Sequence, residues 1–140
     1  MNKIMYAAIL STLLPVGVAQ AADTKVLDHH VANMKSGDLE AVLSDYAPDA
    51  VIVTPAGMVT PNGVFIGKDA RKLFSALTAK ANLPGNKTME TKYEPLSADT
   101  TLMRWVQFKG TPKEVSGYDV FVIRNEKVVF QSVTVNPAKK

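Results

Sequence analysis

Along this chain the interval between apolar residues changes once, from the repeat of a helix to the repeat of a strand. Ahead of residue 82, and apart from two short apolar runs, they recur three and four positions apart, as on a helix with one buried side. From Met89 onward they fall on alternate positions, as on a strand with one face in water. Helices first and long strands last exclude an alternating βαβ chain. The pattern requires an α+β domain with its helices on one side of a curved sheet.

The boundaries follow from local chemistry. Val26, Leu27, Val31 and Met34 mark a first helix, which Gly37 ends. Asp38 is a good N-cap for a short second helix carrying Leu39, Val42, Leu43 and Tyr46, with Pro48 as its stop. Ala50 to Thr54 reads as a strand, and Val64 to Ile66 as another after the turn Pro61-Asn62-Gly63. Ala70, Leu73, Phe74, Leu77 and Ala81 form the stripe of a third helix, closed by Pro84-Gly85. Strands follow at Met89 to Glu94, Thr101 to Lys109, Ser116 to Arg124 and Lys127 to Val135, the last two joined through Asn125-Glu126. Leu102, Val106 and Phe108 alternate with Met103 and Trp105, so apolar residues lie on both parities, as a sheet covered on both faces requires.

The first 21 residues read differently. Met1-Asn2-Lys3 is a short basic start, Ile4 to Val18 an apolar run, and Ala19-Gln20-Ala21 the small-x-small pattern of a cleavage site. The expectation is a signal peptide over 1–21, a single domain over 22–140, and a soluble exported product, periplasmic and free of the membrane after cleavage. The chain has no cysteine, which excludes disulfides, a thiolate nucleophile, Cys-based zinc sites and a lipid-modified cysteine. The net charge of +3 equals the contribution of Lys3, Lys139 and Lys140 at the two ends. No basic stripe with interleaved aromatics exists, so no nucleic-acid partner is expected. Two adjacent histidines cannot ligate one metal from one helix face, and no Gly-rich phosphate loop or Gly-x-Ser-x-Gly elbow is present. No cofactor and no metal are expected.

Four stretches carry a resemblance: Lys35 to Val42, Tyr46 to Val51, Gly67 to Ala70 ahead of Phe74, and Tyr118 to Val129. In this order they resemble the nuclear transport factor 2-like superfamily, in its SnoaL-like and ketosteroid-isomerase-like branch. The resemblance implies a cone (the cystatin-like arrangement), in which a strongly curved, mostly antiparallel sheet wraps around the N-terminal helices. It also implies a pocket at the wide end and pairing of two copies through the sheet. The fold hosts many activities, so it names no reaction by itself.

Two residues stand out as acid and base. With about 100° between residues, His30 falls on the apolar side of the first helix and His29 points to solvent. An imidazole facing a pocket is a donor or base near neutral pH, whereas the plainer reading is a core histidine with one hydrogen bond. Asp119 shares parity with Phe121 and Ile123, so a carboxyl group stands in an apolar row and needs a partner, water or a proton. By resemblance His30 takes the place of the isomerases' substrate-binding tyrosine, and Asp119 that of their protonated second acid. Thr54 stands where they carry the proton-shuttling carboxylate, and a hydroxyl cannot replace that base. Thr54, Arg104, Trp105 and Tyr93 complete the candidate ligand-binding set, Arg104 more readily as an ion-pair partner of Asp119 and the two aromatics more readily as packing.

Three readings stay open: a binder of a small, largely apolar molecule, a cofactor-free isomerase or lyase using His30 and Asp119, and a homodimeric assembly module without a ligand.

Overall fold

The structure, a computed structural model, describes residues 24–138. The expected signal segment, 1–21, lies outside the described residues. Four helices, α1 (Lys25–Ser36), α2 (Leu39–Ser44), α3 (Ala70–Leu77) and α4 (Leu83–Thr88), pack with one six-stranded sheet. Its strands are β1 (Tyr46–Val53), β2 (Val64–Ile66), β3 (Glu90–Pro95), β4 (Thr100–Gln107), β5 (Val115–Arg124) and β6 (Lys127–Val135). Across the sheet they run β2-β1-β6-β5-β4-β3, all antiparallel except the pairing of β1 with β6. Among the described residues no helix is long and apolar enough to cross a membrane.

Most predicted boundaries hold for the reasons given. Gly37 ends α1 in the left-handed conformation (φ 78°), its N–H donating to Asn33 O at 2.9 Å. The Asp38 side chain caps α2, accepting from Ala41 N–H at 3.0 Å. Asn125 and Glu126 both take positive φ, as a two-residue turn between twisted strands requires.

Two boundaries are corrected. Tyr46 belongs to β1 rather than α2, because the chain is drawn into the sheet there: Val128 N–H donates to Asp45 O at 2.8 Å, and Tyr46 pairs with Val128. Pro48 therefore does not stop a helix. It sits where the β1–β6 register shifts between Tyr46 and Val51, a place where a strand tolerates a missing N–H. The third helix ends at Leu77, short of Ala81, and Pro84 opens α4 instead of closing α3, since the first turn of a helix needs no N–H. His29, expected in solvent, keeps an exposed ring but bonds Asp45 Oδ1 at 2.6 Å, tying α1 to the start of β1.

The sheet's two faces differ. Inward, Ile52, Met103, Phe121 and Ile123 meet Leu27 and Val31 of α1 and Leu73 and Phe74 of α3, all buried. Outward, the register aligns Ile66, Val51, Phe130 and Val122 in one row, and Val64, Val53, Ser132, Val120 and Leu102 in the next. These outer residues are half-buried or exposed, with Ile66 57% exposed. Phe121 is fully buried at the centre of the inner face. Phe121→Ala should cost about 3–5 kcal/mol through lost burial and the hole left behind, read from urea unfolding.

Candidate functional site

A cavity of about 390 Å³ opens between the inner face of the sheet and helices α1, α3 and α4. Its walls are mostly apolar. Met34, Met58, Met89 and Met103, the four methionines among the described residues, all line it. Thioether side chains are flexible and polarizable, so this wall adapts to the shape of what it meets. The polar groups on it are His30 of α1, Asn82 and Asn86 at α4, and Trp105, Gln107, Asp119 and Gln131 of the three adjacent strands β4, β5 and β6.

Those strands, joined by β1, carry one continuous network. Tyr46 on β1 donates its hydroxyl to Gln131 Oε1 on β6 at 2.6 Å. Gln131 Nε2 donates to Asp119 Oδ2 on β5 at 2.8 Å, and Trp105 Nε1 on β4 donates to Asp119 Oδ1 at 2.9 Å. The order Tyr46, Gln131, Asp119, Trp105 is the order of the strands themselves. Burial raises the Asp119 carboxyl to about 6, against the pull of its bonds from Trp105 and Gln131. Burial, then Asp119 and Asp45, hold the Tyr46 hydroxyl well above its ordinary range.

His30 reaches the same cavity from α1. Its ring stands edge-on to Tyr46, Phe74 and Phe121, with centroids 5.7 to 5.8 Å away. Burial, with a smaller contribution from neighbouring His29, lowers it to about 4, so the imidazole is neutral at ordinary pH. Its Nδ1 is buried without a hydrogen-bond partner, a costly state for a polar atom and one that a functional site tolerates more often than a core does.

The structure thus brings His30, Asp119 and Trp105 to one cavity and leaves three expected residues elsewhere. Arg104 does not meet Asp119. It lies on the outer parity of β4, paired with Tyr118 in register, and its Nε donates to Glu94 at 2.8 Å. Tyr93 donates its hydroxyl to Asp28 on α1 at 2.8 Å, outside the cavity lining. Thr54 lies just beyond β1, its hydroxyl 3.4 Å from the carbonyl oxygens of Gly63 and Pro55, and it does not line the cavity.

Two participants escape a sequence reading. Gln131 looks like any polar strand residue until Phe121 is seen opposite it, which puts its amide on the inner face. Gly117 pairs with Trp105, and a Cβ there would stand 2.5 Å from the indole Cζ2 and closer still to Thr134 O. The missing side chain is what allows the indole to lie along β5 and reach Asp119, two residues on. A glycine inside a strand is the one sequence signal for such a close approach.

No protein-family model and no curated protein sequence matches the chain significantly. Solved structures do. An NTF-2-like protein from Burkholderia xenovorans LB400 superposes with a TM-score of 0.62 at 17% identity, over 82% of this chain and 83% of that one. A protein with a cystatin-like fold from Methylobium petroleophilum PM1 gives 0.63 at 15% identity, over 87% and 82%. TerC, crystallised with polyporic acid, gives 0.58 at 18% identity, over 79% and 88%. The fold is nuclear transport factor 2-like. At these identities the likeness extends to the architecture alone.

In this NTF2-like frame His30 and Asp119 carry opposite pH signatures. Asp119 rises from 3.8 to about 6 on folding, so the folded state holds its proton longer and its contribution to stability falls as pH climbs from 4 to 6. His30 drops from 6.5 to about 4, so the unfolded state binds the proton first and stability falls as pH drops over nearly the same range. Relative to the parent, Asp119→Asn should therefore become steeper in its loss of stability on acidification, and His30→Phe shallower. Unfolding free energies measured from about pH 4 to 7 check both signs. Gly117→Ala should shift Trp105 emission by moving the indole off Asp119, which a fluorescence spectrum of the folded protein reads directly.

Proposed function

We propose that this chain is an exported, periplasmic domain that holds a small, largely apolar molecule in its cavity. One observation carries the reading: a buried carboxyl group and a buried imidazole with an unpartnered Nδ1 stand on the wall of a mainly apolar space of about 390 Å³. Sites for small molecules combine apolar walls with a few fixed polar groups in this way, and the volume lies in their usual range. A cavity of this size also speaks against a module that fills its interior with its own side chains. TerC, of the same fold, was crystallised with the small molecule polyporic acid. Protein purified from the periplasm and sprayed under native conditions should carry an added small mass. His30→Phe and Asp119→Asn should each reduce that mass while the protein stays folded. A bare polypeptide mass throughout would overturn the reading.

The unpartnered His30 Nδ1 favours a second reading, proton transfer without a cofactor. Asp119, titrating at about 6, and a neutral imidazole on one cavity form an acid–base pair suited to a proton shift or dehydration beside a carbonyl. Solvent-deuterium exchange into a bound ketone, lost in either single variant, would separate turnover from binding.

The chain also acts as a homodimer in this proposal. The apolar rows on the outer face, running from Ile66 across to Leu102, supply a self-complementary patch for a two-fold contact. Val122→Lys combined with Phe130→Lys should halve the mass seen by sedimentation without unfolding the protein. An unchanged mass would place any assembly elsewhere.

A further inference from the structure

The charge inside the cavity is one-sided. Asp119 is a carboxyl on its wall, while among the described residues neither lysine nor arginine lines it. The two groups bonded to Asp119, the Trp105 indole and the Gln131 amide, are neutral donors, so they satisfy oxygen lone pairs without balancing a charge. A carboxylate offers about four lone-pair sites, and two remain for something else. An acidic ligand would set a second negative charge against it. A neutral hydroxyl would fill a lone pair and leave the charge unmatched. A protonated nitrogen does both, in a charge-assisted hydrogen bond that is roughly twice as strong as a neutral one. The Trp105 ring lines the same space, and indole attracts cations.

We propose that the ligand is an apolar amine, a hydrocarbon body with one protonated nitrogen that docks on the Asp119 carboxylate. This rests on the reading that the cavity takes a small molecule. The methionine wall receives the hydrocarbon, and the neutral His30 opposes no positive charge. The titratable groups facing Asp119 from the packed elements are Tyr46 on β1 and His30 on α1; β4 and β6 present Trp105 and Gln131, and α3 presents Phe74. Tyr46 stays protonated and His30 stays neutral between pH 5 and 8, so Asp119 alone sets the pH dependence there.

Trp105 is the only tryptophan in the chain and touches Asp119, so its emission reports on the site. The probes are 1-adamantanemethylamine, 1-adamantanemethanol and 1-adamantanecarboxylic acid, titrated into the whole protein with calorimetry as a second readout. At about pH 7.5 the amine should bind about tenfold or more tighter than the alcohol, with the acid weakest. Below the Asp119 titration the amine's affinity should fall by up to about tenfold per pH unit until it meets the alcohol's, which holds steady. Asp119→Asn should bring the amine down to the alcohol's level. An alcohol or acid that equals the amine in the unaltered protein overturns the amine while small-molecule binding stands, and this comparison needs no variant to fold. If none of the three binds, both ideas fall.

Discussion

A carboxyl group buried on the inner face of a sheet, with no cation beside it among the described residues, sets the terms for the rest of this molecule. An uncompensated buried charge costs several kcal/mol, so the protein must satisfy its oxygens by other means. It does so with neutral donors drawn from the strands on either side of β5. Gln131 is fixed in orientation by this demand, because its nitrogen must face Asp119 and its oxygen must face Tyr46. Trp105 is fixed as well, and Gly117 yields the room. The polar chain crosses the strands where backbone pairing already runs, so side-chain and main-chain hydrogen bonds hold the same register. Local order at the site and order of the sheet are one property.

Much of this was legible in the sequence, and the limits have physical causes. Strand parity put Asp119 among Phe121 and Ile123, and helix periodicity put His30 on the buried side, because both depend only on local geometry. Sequence alone does not keep Arg104 apart from Asp119, because parity within one strand does not say which parity of the next strand it meets. Register decides that, and it pairs Met103 with Asp119. Neither analogy nor side-chain size fixes where Thr54 and Tyr93 point, and their hydroxyls turn to a loop carbonyl and to Asp28. Gln131 lies twelve residues from Asp119. Only the turn at Asn125-Glu126 makes the two neighbours, and the consequence of that turn for side-chain contact is not written in either residue.

Architecture and chemistry separate cleanly here. The likeness to NTF2-like and cystatin-like structures survives at 15–18% identity because it depends on period, turns and apolar parity, which many residues can supply. The polar chain from Tyr46 to Trp105 depends on particular side chains at particular register positions. Such a set can change completely without disturbing the frame, which is why one fold carries so many uses.

The placement of β6 has a bearing on how the molecule comes into being. It is the final strand of the described chain to be synthesised, yet it stands between β1 and β5 in the finished sheet. Until it arrives, β2-β1 and β5-β4-β3 are two fragments with no common edge, and Tyr46 has no Gln131 to bond. A nascent chain of this topology cannot close its sheet from the front. Closing it late joins residues far apart along the chain, the sort of pairing that folds slowly. It also keeps the growing polypeptide open until β6 itself has been made.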